Sequence, residues 1–436
     1  LLKVMEEPPE GVLFLLTADS LAGVLPTIRS RCVSFAVAPV SPEECAKWCI
    51  GQGVDKKQAQ RIRDYAYKQA EESHQVTGAD IGESLEKEAP HLKRQSDYIS
   101  NVGLYTIWKN TQVEYFPLGE DFWAALLREL RKAEKFIFME YFIIQEGKMW
   151  NAVLDIMKEK AAAGVDVRLM YDDLGTIQTL PPHYYRQMEE AGIKCAVFNP
   201  FRPRLNSMFN YRDHRKITVI DGDVGFCGGL NLADEYINAY EKYGHWKDTA
   251  VMLRGDGTRN LTIMFLQLWS YRDGKNADYH EYRPSGRQYG DDGYIQPYGD
   301  SPIDEFNVAE NIYLQIINCA KKYVYITTPY LILDNEMTTA LTIAAESGVD
   351  VRIITPHIPD KWYVHAVTRS SYRQLIEAGV RIYEYTPGFI HSKMFVADDE
   401  VGVVGTANMD YRSFYLHFEC GVAFFRSSVI QSVKQD

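Results

Sequence analysis

The sequence has 436 residues, of which 46% are hydrophobic and 24% charged, as expected for a globular protein with two or three compact units. Its formal net charge of −12 excludes a broad basic surface and argues against a general nucleic-acid-binding protein. Its seven Cys lack framework spacing and predict reduced thiols, and no apolar run reaches the roughly 18 residues of a membrane span. The chain begins with Leu1 and not with Met, so we expect it to be part of a longer sequence.

Residues 1–60 differ in pattern from the rest of the chain and predict a small α/β fragment. A short apolar strand at Val12–Thr17 is followed by the motif Ser30-Arg31-Cys32 and then by a helix. Residues 1–55 resemble a fragment of the clamp-loader AAA+ subunits of bacterial DNA polymerase III (delta-prime or gamma type), in which the equivalent of Arg31 reaches a neighbouring subunit's ATP. The chain has no G-x-x-x-x-G-K-[ST] loop, so we interpret the fragment as inert. The alternative is a clamp-loader component that acts through Arg31 on clamp-loader partners.

Residues 61–109 predict a helical connecting segment. They are polar and carry charged clusters, such as Glu83 to Lys87 and His91 to Arg94. The remainder of the chain, from about Asn110 onward, is a duplication.

The duplication is clearest in an octet of the form H-x-K-x-x-x-x-D. The first copy runs from His214 to Asp221 and the second from His391 to Asp398. Each copy leads into an apolar stretch and a turn of small residues that ends in Asn, Gly228-Gly229-Leu230-Asn231 in one and Gly405-Thr406-Ala407-Asn408 in the other. The offset is 177 residues from His to His (391 − 214) and again from Asn to Asn (408 − 231). A chance octet would not carry its downstream turn with it.

The flanking sequence repeats as well. The pentamer Gly-Val-Asp-Val-Arg occurs at 164–168 and at 348–352, each time within alternating strand and helix patterns. Such alternation predicts parallel strands with helical crossovers, and hence an α/β fold. We therefore predict two α/β sandwich halves related by a pseudo-two-fold, with a shared site at their interface. The predicted boundaries are 110–272 for the first half, 273–304 for an irregular linker and 305–436 for the second half.

The octets carry groups suited to a phosphodiester substrate. On a strand, His214 and Lys216 point to the same face, and so do His391 and Lys393. One such pair alone is weak evidence, but two facing pairs would bring two imidazoles and two ammonium groups together. One His can attack phosphorus and the other can move the proton, while the lysines stabilise the oxygens without a metal. The other predicted phosphate ligands are Asn231, Thr406 and Asn408.

Four carboxylates complete the predicted site. Asp221 and Asp398 close the octets and are predicted to belong to the catalytic group with the histidines and lysines, where each would pin the local backbone or pair with a basic group. Glu419, 28 residues after His391, and Asp248, its candidate counterpart in the first half, are predicted to orient the histidines and fix their tautomers. The alternative for this second pair is strand-end acids that face water.

The octets and their Asn turns resemble the HKD motifs of the phospholipase D superfamily. Over about residues 60–430, the chain resembles the bacterial cardiolipin synthases of that superfamily more closely. That resemblance is carried by seven further stretches, namely Glu140–Ile144, Tyr171–Asp173, Tyr211–Lys216, Asn231–Tyr236, Gly244–Asp248, Thr328–Leu331 and Tyr385–His391. It implies condensation of two phosphatidylglycerols into cardiolipin and glycerol through a phosphatidyl-histidine, without a cofactor. By analogy with the family, His214 is the nucleophile and His391 the acid/base, whereas the symmetry of the two octets leaves the opposite assignment open.

Two features depart from the family pattern. Members usually carry N-terminal transmembrane segments and a longer C-terminus, whereas this chain carries the clamp-loader-like segment and ends at Asp436. The expected partners are phosphatidylglycerol, cardiolipin and the surface of the bacterial cell membrane, with no nucleic acid. The aromatic pair Trp362-Tyr363 either contacts lipid headgroups or packs internally. The alternative activity is hydrolysis, as by a phospholipase D, in which water replaces the alcohol acceptor.

Overall fold

The structure is a computed structural model that describes residues 79–200, 210–273, 278–303 and 306–436. The chain divides into two units, Leu1–Gln60 and Arg61–Asp436. The clamp-loader-like segment with Arg31, and the first part of the predicted connecting segment, lie outside the described residues. Within the described ranges, no helix combines the length and the apolar character that crossing a lipid bilayer requires.

Two helices precede the first sheet: α1 (Ala79–Glu88) and α2 (Pro90–Asn101). The first half then contains β1 (Thr111–Phe116), α3 (Gly119–Leu130), β2 (Phe136–Tyr141), α4 (Lys148–Ala162), β3 (Asp166–Asp172), α5 (Asp173–Thr176), α6 (Tyr184–Glu190), β4 (Lys194–Phe198), β5 (Arg212–Asp213), β6 (Lys216–Ile220), β7 (Val224–Gly228), β8 (His245–Lys247), β9 (Ala250–Gly255) and α7 (Thr258–Asp273). Short 3₁₀ turns lie at Asp234–Ile237 and Tyr279–Tyr282.

The second half contains β10 (Tyr294–Asp300), α8 (Val308–Cys319), β11 (Tyr323–Thr327), β12 (Leu331–Ile332), α9 (Asn335–Glu346), β13 (Asp350–Pro356), α10 (Trp362–Ser370), α11 (Tyr372–Glu377), β14 (Arg381–Tyr385), β15 (Gly388–Ile390), β16 (Met394–Ala397), β17 (Val401–Gly405), β18 (Met409–Asp410), α12 (Tyr411–Tyr415), β19 (His417–Phe425) and α13 (Val429–Gln435). Apart from the short elements β8, β12, β18 and α12, its order of strands and helices repeats that of the first half.

The two large sheets have the same topology. The first has the strand order β1-β9-β7-β6-β2-β3-β4 and the second the order β10-β19-β17-β16-β11-β13-β14. The predicted α/β fold with two related halves is confirmed. Along the two strand orders, the prediction of parallel strands holds for β2-β3-β4 and for β11-β13-β14. The remaining pairs along these orders are antiparallel, and two of them, β6-β7 and β16-β17, are joined by tight turns that cannot make a crossover.

The repeated pentamer is explained by the same local geometry in both halves. Gly164 and Gly348 follow α4 and α9 with φ of +89° and +95°, in the left-handed region that ends a helix at low cost for Gly alone. In the strand that follows, Asp and Arg two residues apart share a face and form an ion pair of 2.7 Å, Asp166–Arg168 in β3 and Asp350–Arg352 in β13.

The predicted linker 273–304 must be corrected, because its second part is a strand of the second sheet. β10 pairs antiparallel with β19 over its whole length, and all seven of its residues are buried. A strand enclosed on both faces shows no alternation, and Gln296, Pro297 and Gly299 gave it the composition of a loop. The second half therefore begins at β10.

Contacts between the halves are extensive. Helix α7 packs across β2, β6, β7 and β9 of the first sheet and also contacts β10 of the second. Helix α13, which follows the second sheet as α7 follows the first, contacts β1 across the interface. A single hydrophobic cluster includes residues of both sheets and of α7. This packing holds the two octets in fixed positions relative to each other.

Candidate active site

Two short parallel strand pairs cross between the halves and lead directly to the octet histidines. β5 of the first half pairs with the start of β19, and the N–H of His214 then donates to Phe418 O at 3.0 Å. β15 of the second half pairs with β8, and the N–H of His391 donates to Lys247 O at 2.7 Å. The residue that follows each acceptor is a carboxylate, Glu419 or Asp248.

Each histidine consequently contacts the carboxylate of the opposite half. His214 Nδ1 lies 3.0 Å from both carboxylate oxygens of Glu419. His391 Nδ1 lies 2.6 Å from Asp248 Oδ2. The sequence suggested these acids in the order of the repeats, and it gave no sign that the pairs are exchanged between halves. Both carboxylates are fully buried, so they do not face water.

Two buried lysines complete the centre. Lys216 Nζ donates to His214 O at 2.5 Å, and Lys393 Nζ donates to His391 O. Burial lowers the pKa of Lys216 to about 8 and the pKa of Lys393 to about 7, although the nearby carboxylates favour the charged forms. Lys216 acts electrostatically on both histidines, so the two octets meet at one centre.

The two carboxylates differ in proton affinity. Burial alone would raise the pKa of Glu419, but the charge and hydrogen bond of His214, with His417 nearby, hold that pKa well below its usual range. Burial raises the pKa of Asp248 to about 7, although Lys393 and the N–H of Thr249 favour its ionised form. Burial is also the largest cause that lowers the pKa of both octet histidines well below the usual value.

Thr406 belongs to the support of Glu419, and its predicted role as a phosphate ligand must be corrected. Its Oγ1 donates to Glu419 Oε2 at 2.5 Å, and it accepts from the N–H of Cys420 at 2.9 Å. At the equivalent place in the first half stands Gly229, where a Cβ would collide with Asp248 Oδ1. The first half therefore has space for Asp248 where the second half has a hydroxyl.

The two predicted Asn ligands are both buried but differently engaged. Asn231 Oδ1 accepts from the N–H of Ile143 at 2.9 Å, and its amide donates to Tyr236 Oη at 2.7 Å. The side-chain oxygen of Asn408 has no hydrogen-bond partner among the described residues.

Asp221 and Asp398 do not join this centre, and their assignment to the catalytic group must be corrected. They occupy the turns after β6 and β16, both with φ of 54°, at the far end of the strands that begin beside Lys216 and Lys393. Asp221 accepts hydrogen bonds of 2.7–2.8 Å from the backbone N–H groups of residues 134–136. Asp398 accepts hydrogen bonds of 2.7–3.0 Å from the backbone N–H groups of residues 321–323. Both carboxylates fix the backbone before a central strand.

Sequence reasoning missed two residues beside the histidines. His417 and Trp246 each stand two residues before a buried carboxylate, so a strand places each on the same face as that acid. The His417 ring lies 5.3 Å from the His214 ring and the Trp246 ring 5.5 Å from the His391 ring. Neither His417 nitrogen, nor Trp246 Nε1, has a hydrogen-bond partner among the described residues.

One group in the described ranges has the composition of a metal site. Ligand atoms of His214, His417 and Glu419 lie within 4.8 Å of one another. Glu419 already accepts from His214 and Thr406, and the ammonium of Lys216 acts on the same carboxylate. The surroundings therefore suit an anion better than a cation.

Comparison with known proteins identifies the family. The family model described as "Cardiolipin synthase, PLD-like domain" matches residues 126–250 and 313–436, one match in each half. The chain belongs to this family. A second model, "DNA polymerase III, delta subunit", matches residues 1–41. Both predicted resemblances are confirmed.

Relatives extend the match along the chain. A cardiolipin synthase of Alkalihalophilus pseudofirmus is 38% identical over 356 residues, which are 81% of this chain and 71% of that protein. An uncharacterized protein of Streptococcus mutans is 50% identical over 345 residues, 78% of this chain and 74% of that one. The crystal structure of phosphatidylserine synthase from Haemophilus influenzae superposes with a TM-score of 0.58 at 16% identity, covering 78% of this chain and 89% of that one. At 16% identity, the similarity to this crystal structure supports the shared fold and nothing about activity.

The turn carboxylates can be tested apart from the chemistry. We expect Asp221→Ala to lower the free energy of unfolding by about 1 to 3 kcal/mol, because three backbone N–H groups lose a charged acceptor. Turnover per folded molecule should fall less than about tenfold, because the carboxylate does not contact the histidines. Urea unfolding and activity at low temperature measure the two effects, with the exposed Asp155→Ala as the control. Loss of activity without loss of stability would contradict this role.

Burial of the charged Lys393 side chain is expected to lower the free energy of unfolding by an amount that depends on pH. The pKa of Lys393 is about 7 in the folded chain and about 10.4 in the unfolded one, so between these values the unfolded state binds more protons. The penalty is complete below about pH 7 and fades as pH rises toward 10. Lys393→Met should therefore stabilise the fold at pH 7 more than at pH 9.5, while turnover falls about 100-fold or more.

Urea unfolding at both pH values measures this difference, with the exposed Lys158→Met as the control. A Lys393→Met variant that is less stable than the parent at pH 7 would contradict the prediction.

Proposed function

We propose that this chain is a cardiolipin synthase that transfers the phosphatidyl group of one phosphatidylglycerol to the headgroup hydroxyl of another, releasing glycerol. The observation that carries the proposal is the pair of crossed His–carboxylate contacts with a buried lysine beside each. A phosphodiester needs one nucleophile, one proton carrier and positive charge for its oxygens. This centre offers each of these from its own side chains.

The two pairs favour different roles for the two histidines. Glu419 is ionised, so it accepts a hydrogen bond from the Nδ1–H of His214 and leaves the Nε2 lone pair as a nucleophile. The Asp248–His391 pair holds a proton more readily, because burial raises the pKa of Asp248 to about 7. A pair with one more proton can keep Nε2 of His391 protonated and act as the general acid.

The reaction then proceeds in two balanced steps. His214 Nε2 attacks phosphorus, the bond from phosphorus to the headgroup glycerol oxygen breaks, and His391 gives that oxygen its proton. The headgroup hydroxyl of the second phosphatidylglycerol then loses its proton to His391 and attacks phosphorus. The bond between phosphorus and His214 breaks, and cardiolipin leaves. The ammonium groups of Lys216 and Lys393 stabilise charge on the non-bridging oxygens in both steps.

The surroundings of the histidines favour an alcohol acceptor over water. Tyr236, Trp246 and Phe389 lie against His391 with ring centroids 5.5–5.8 Å away. Phe142 lies 5.1 Å from His214. Such walls limit the access of water to a reactive phosphoryl centre and accept a lipid-borne alcohol. We place the reaction at the surface of the bacterial cell membrane, where both substrates reside.

Product analysis distinguishes transfer from the alternative, hydrolysis of the phospholipase D type. Purified protein is incubated with vesicles that contain phosphatidylglycerol, and the lipids are separated. We expect cardiolipin and glycerol in equal amounts, with phosphatidic acid as a minor product. Phosphatidic acid without cardiolipin would assign the chain to the hydrolases, and absence of both products in the folded protein would remove the proposal.

A substrate with a good leaving group tests the separate roles of the histidines. Phosphatidyl-p-nitrophenol needs no proton for its leaving group, so His391→Ala should release a burst of nearly one p-nitrophenol per site and then stall. His214→Ala should show no burst and a rate at least about 1,000-fold below the parent. Rapid-mixing absorbance measures both, and the lipid bound to His391→Ala is checked by mass spectrometry. A burst in His214→Ala alone would exchange the roles.

A further inference from the structure

Helix α10 presents its apolar side chains to solvent. Trp362 is 78% exposed, Tyr363 54% and Val367 46%, and Ala366 is exposed beside them. Positions 362, 363, 366 and 367 lie on one face of a helix, because their spacing is that of successive turns. In a soluble surface helix this face would be directed toward the core, whereas the one buried residue of α10 is the polar Thr368.

The exposed face lies next to the catalytic centre. Strand β13, which precedes α10, contacts β15, and β15 leads directly into His391. Asp360 and Lys361, which lead into α10, also act electrostatically on His391. The hydroxyl of Tyr330 donates to Asp360 at 2.7 Å, which fixes the start of the helix. The apolar face therefore begins on the same side of the molecule as His391.

The helix adds no negative charge of its own that would oppose an anionic surface. The whole chain carries a net charge of −12, which opposes approach to anionic lipid, so attraction must be local. Residues 361–370 contain Lys361, His365 and Arg369 and no acid. Arg369 is paired with Glu384 at 2.8 Å, and Lys361 is half exposed, 3.3 Å from Asp360. Aromatic side chains with basic neighbours are the composition of helices that lie in a membrane interface.

We infer that the outward face of α10 is the surface with which this chain docks on an anionic phospholipid bilayer. Trp362 and Tyr363, whose rings form an edge-to-face pair, enter the headgroup layer, and Val367 follows them. A phosphatidylglycerol then reaches His391 from the bilayer without crossing bulk water. The inference rests on the proposed function, because it supplies the route of that substrate.

The test replaces three exposed apolar side chains of α10 by Ser. It then compares phosphatidylglycerol in vesicles with phosphatidylglycerol as a monomer. The variant Trp362→Ser/Tyr363→Ser/Val367→Ser is measured for co-sedimentation with vesicles of phosphatidylglycerol and phosphatidylcholine, and for turnover on those vesicles. It is also assayed with a monomeric short-chain phosphatidylglycerol below its micelle concentration. We expect vesicle binding and vesicle turnover to fall by about tenfold or more. Turnover of the monomeric lipid should stay within about twofold of the parent.

Ile343→Ser is the matched control, because Ile343 is 54% exposed on α9, another helix of the same half. It should leave vesicle binding unchanged. Unchanged vesicle binding by the triple variant would overturn the inference, and so would equal losses on the vesicle and monomeric substrates. Loss of self-association in sedimentation velocity, with vesicle binding retained, would assign the face to a second copy of the chain and would also overturn it.

Failure of the proposed function gives a different result. Vesicle binding does not require turnover, so His214→Ala should still bind the vesicles as the parent does. A parent protein that binds vesicles through this face but makes no cardiolipin would refute the activity and leave the docking surface in place. The single variant Trp362→Ser, with its thermal unfolding measured, covers the case in which the triple variant does not fold.

Discussion

The exchange of carboxylates between the halves is the constraint on which the rest of the structure depends. His214 needs Glu419 from the second half, and His391 needs Asp248 from the first, so neither half holds a complete site. The short pairs β5–β19 and β15–β8 set each histidine within hydrogen-bond distance of its acid. A shift of one residue in either pair would turn the acid to the opposite face of its strand. The interface between the halves must therefore be rigid, and the shared hydrophobic cluster with the buried α7 makes it so.

Much of the fold and of the site could be predicted because each motif occurs in both halves, so each copy supports the interpretation of the other. The octets, their Asn turns and the Gly-Val-Asp-Val-Arg pentamers fix the number of halves, the fold class and the side chains that meet. The pentamer shows why local sequence sufficed, because a left-handed Gly ends a helix and an Asp–Arg pair begins the next strand in both halves. Such features depend on neighbours within a few residues, which a single sequence contains.

The features that were missed depend on partners distant in the chain. The composition of β10 is that of a loop because Gln296, Pro297 and Gly299 interrupt its apolar residues, and nothing within 294–300 identifies β19 as its partner. Asp221 and Asp398 stand in a motif beside the catalytic side chains, yet five strand residues at about 3.3 Å each carry Asp221 to the far end of β6. The exchange of Asp248 and Glu419 likewise leaves no mark on spacing, since either acid fits either histidine in a linear sequence.

The two halves differ in the surroundings of the carboxylates that contact the histidines, and this difference affects how many protons each His–carboxylate pair holds. Two identical His–carboxylate pairs would hold the same number of protons, and a transfer reaction needs one histidine without the proton that the other carries. Glu419 has a hydroxyl donor in Thr406, whereas Asp248 stands against Gly229, which offers no side-chain donor. The charge and hydrogen bond of His214 hold the pKa of Glu419 well below its usual range, and a hydroxyl donor such as Thr406 favours the same ionised form. Burial raises the pKa of Asp248 to about 7, and no side-chain hydroxyl from the equivalent position opposes that rise. A difference as small as Gly for Thr between the repeats thus supports the unequal roles that we propose for two histidines with the same motif.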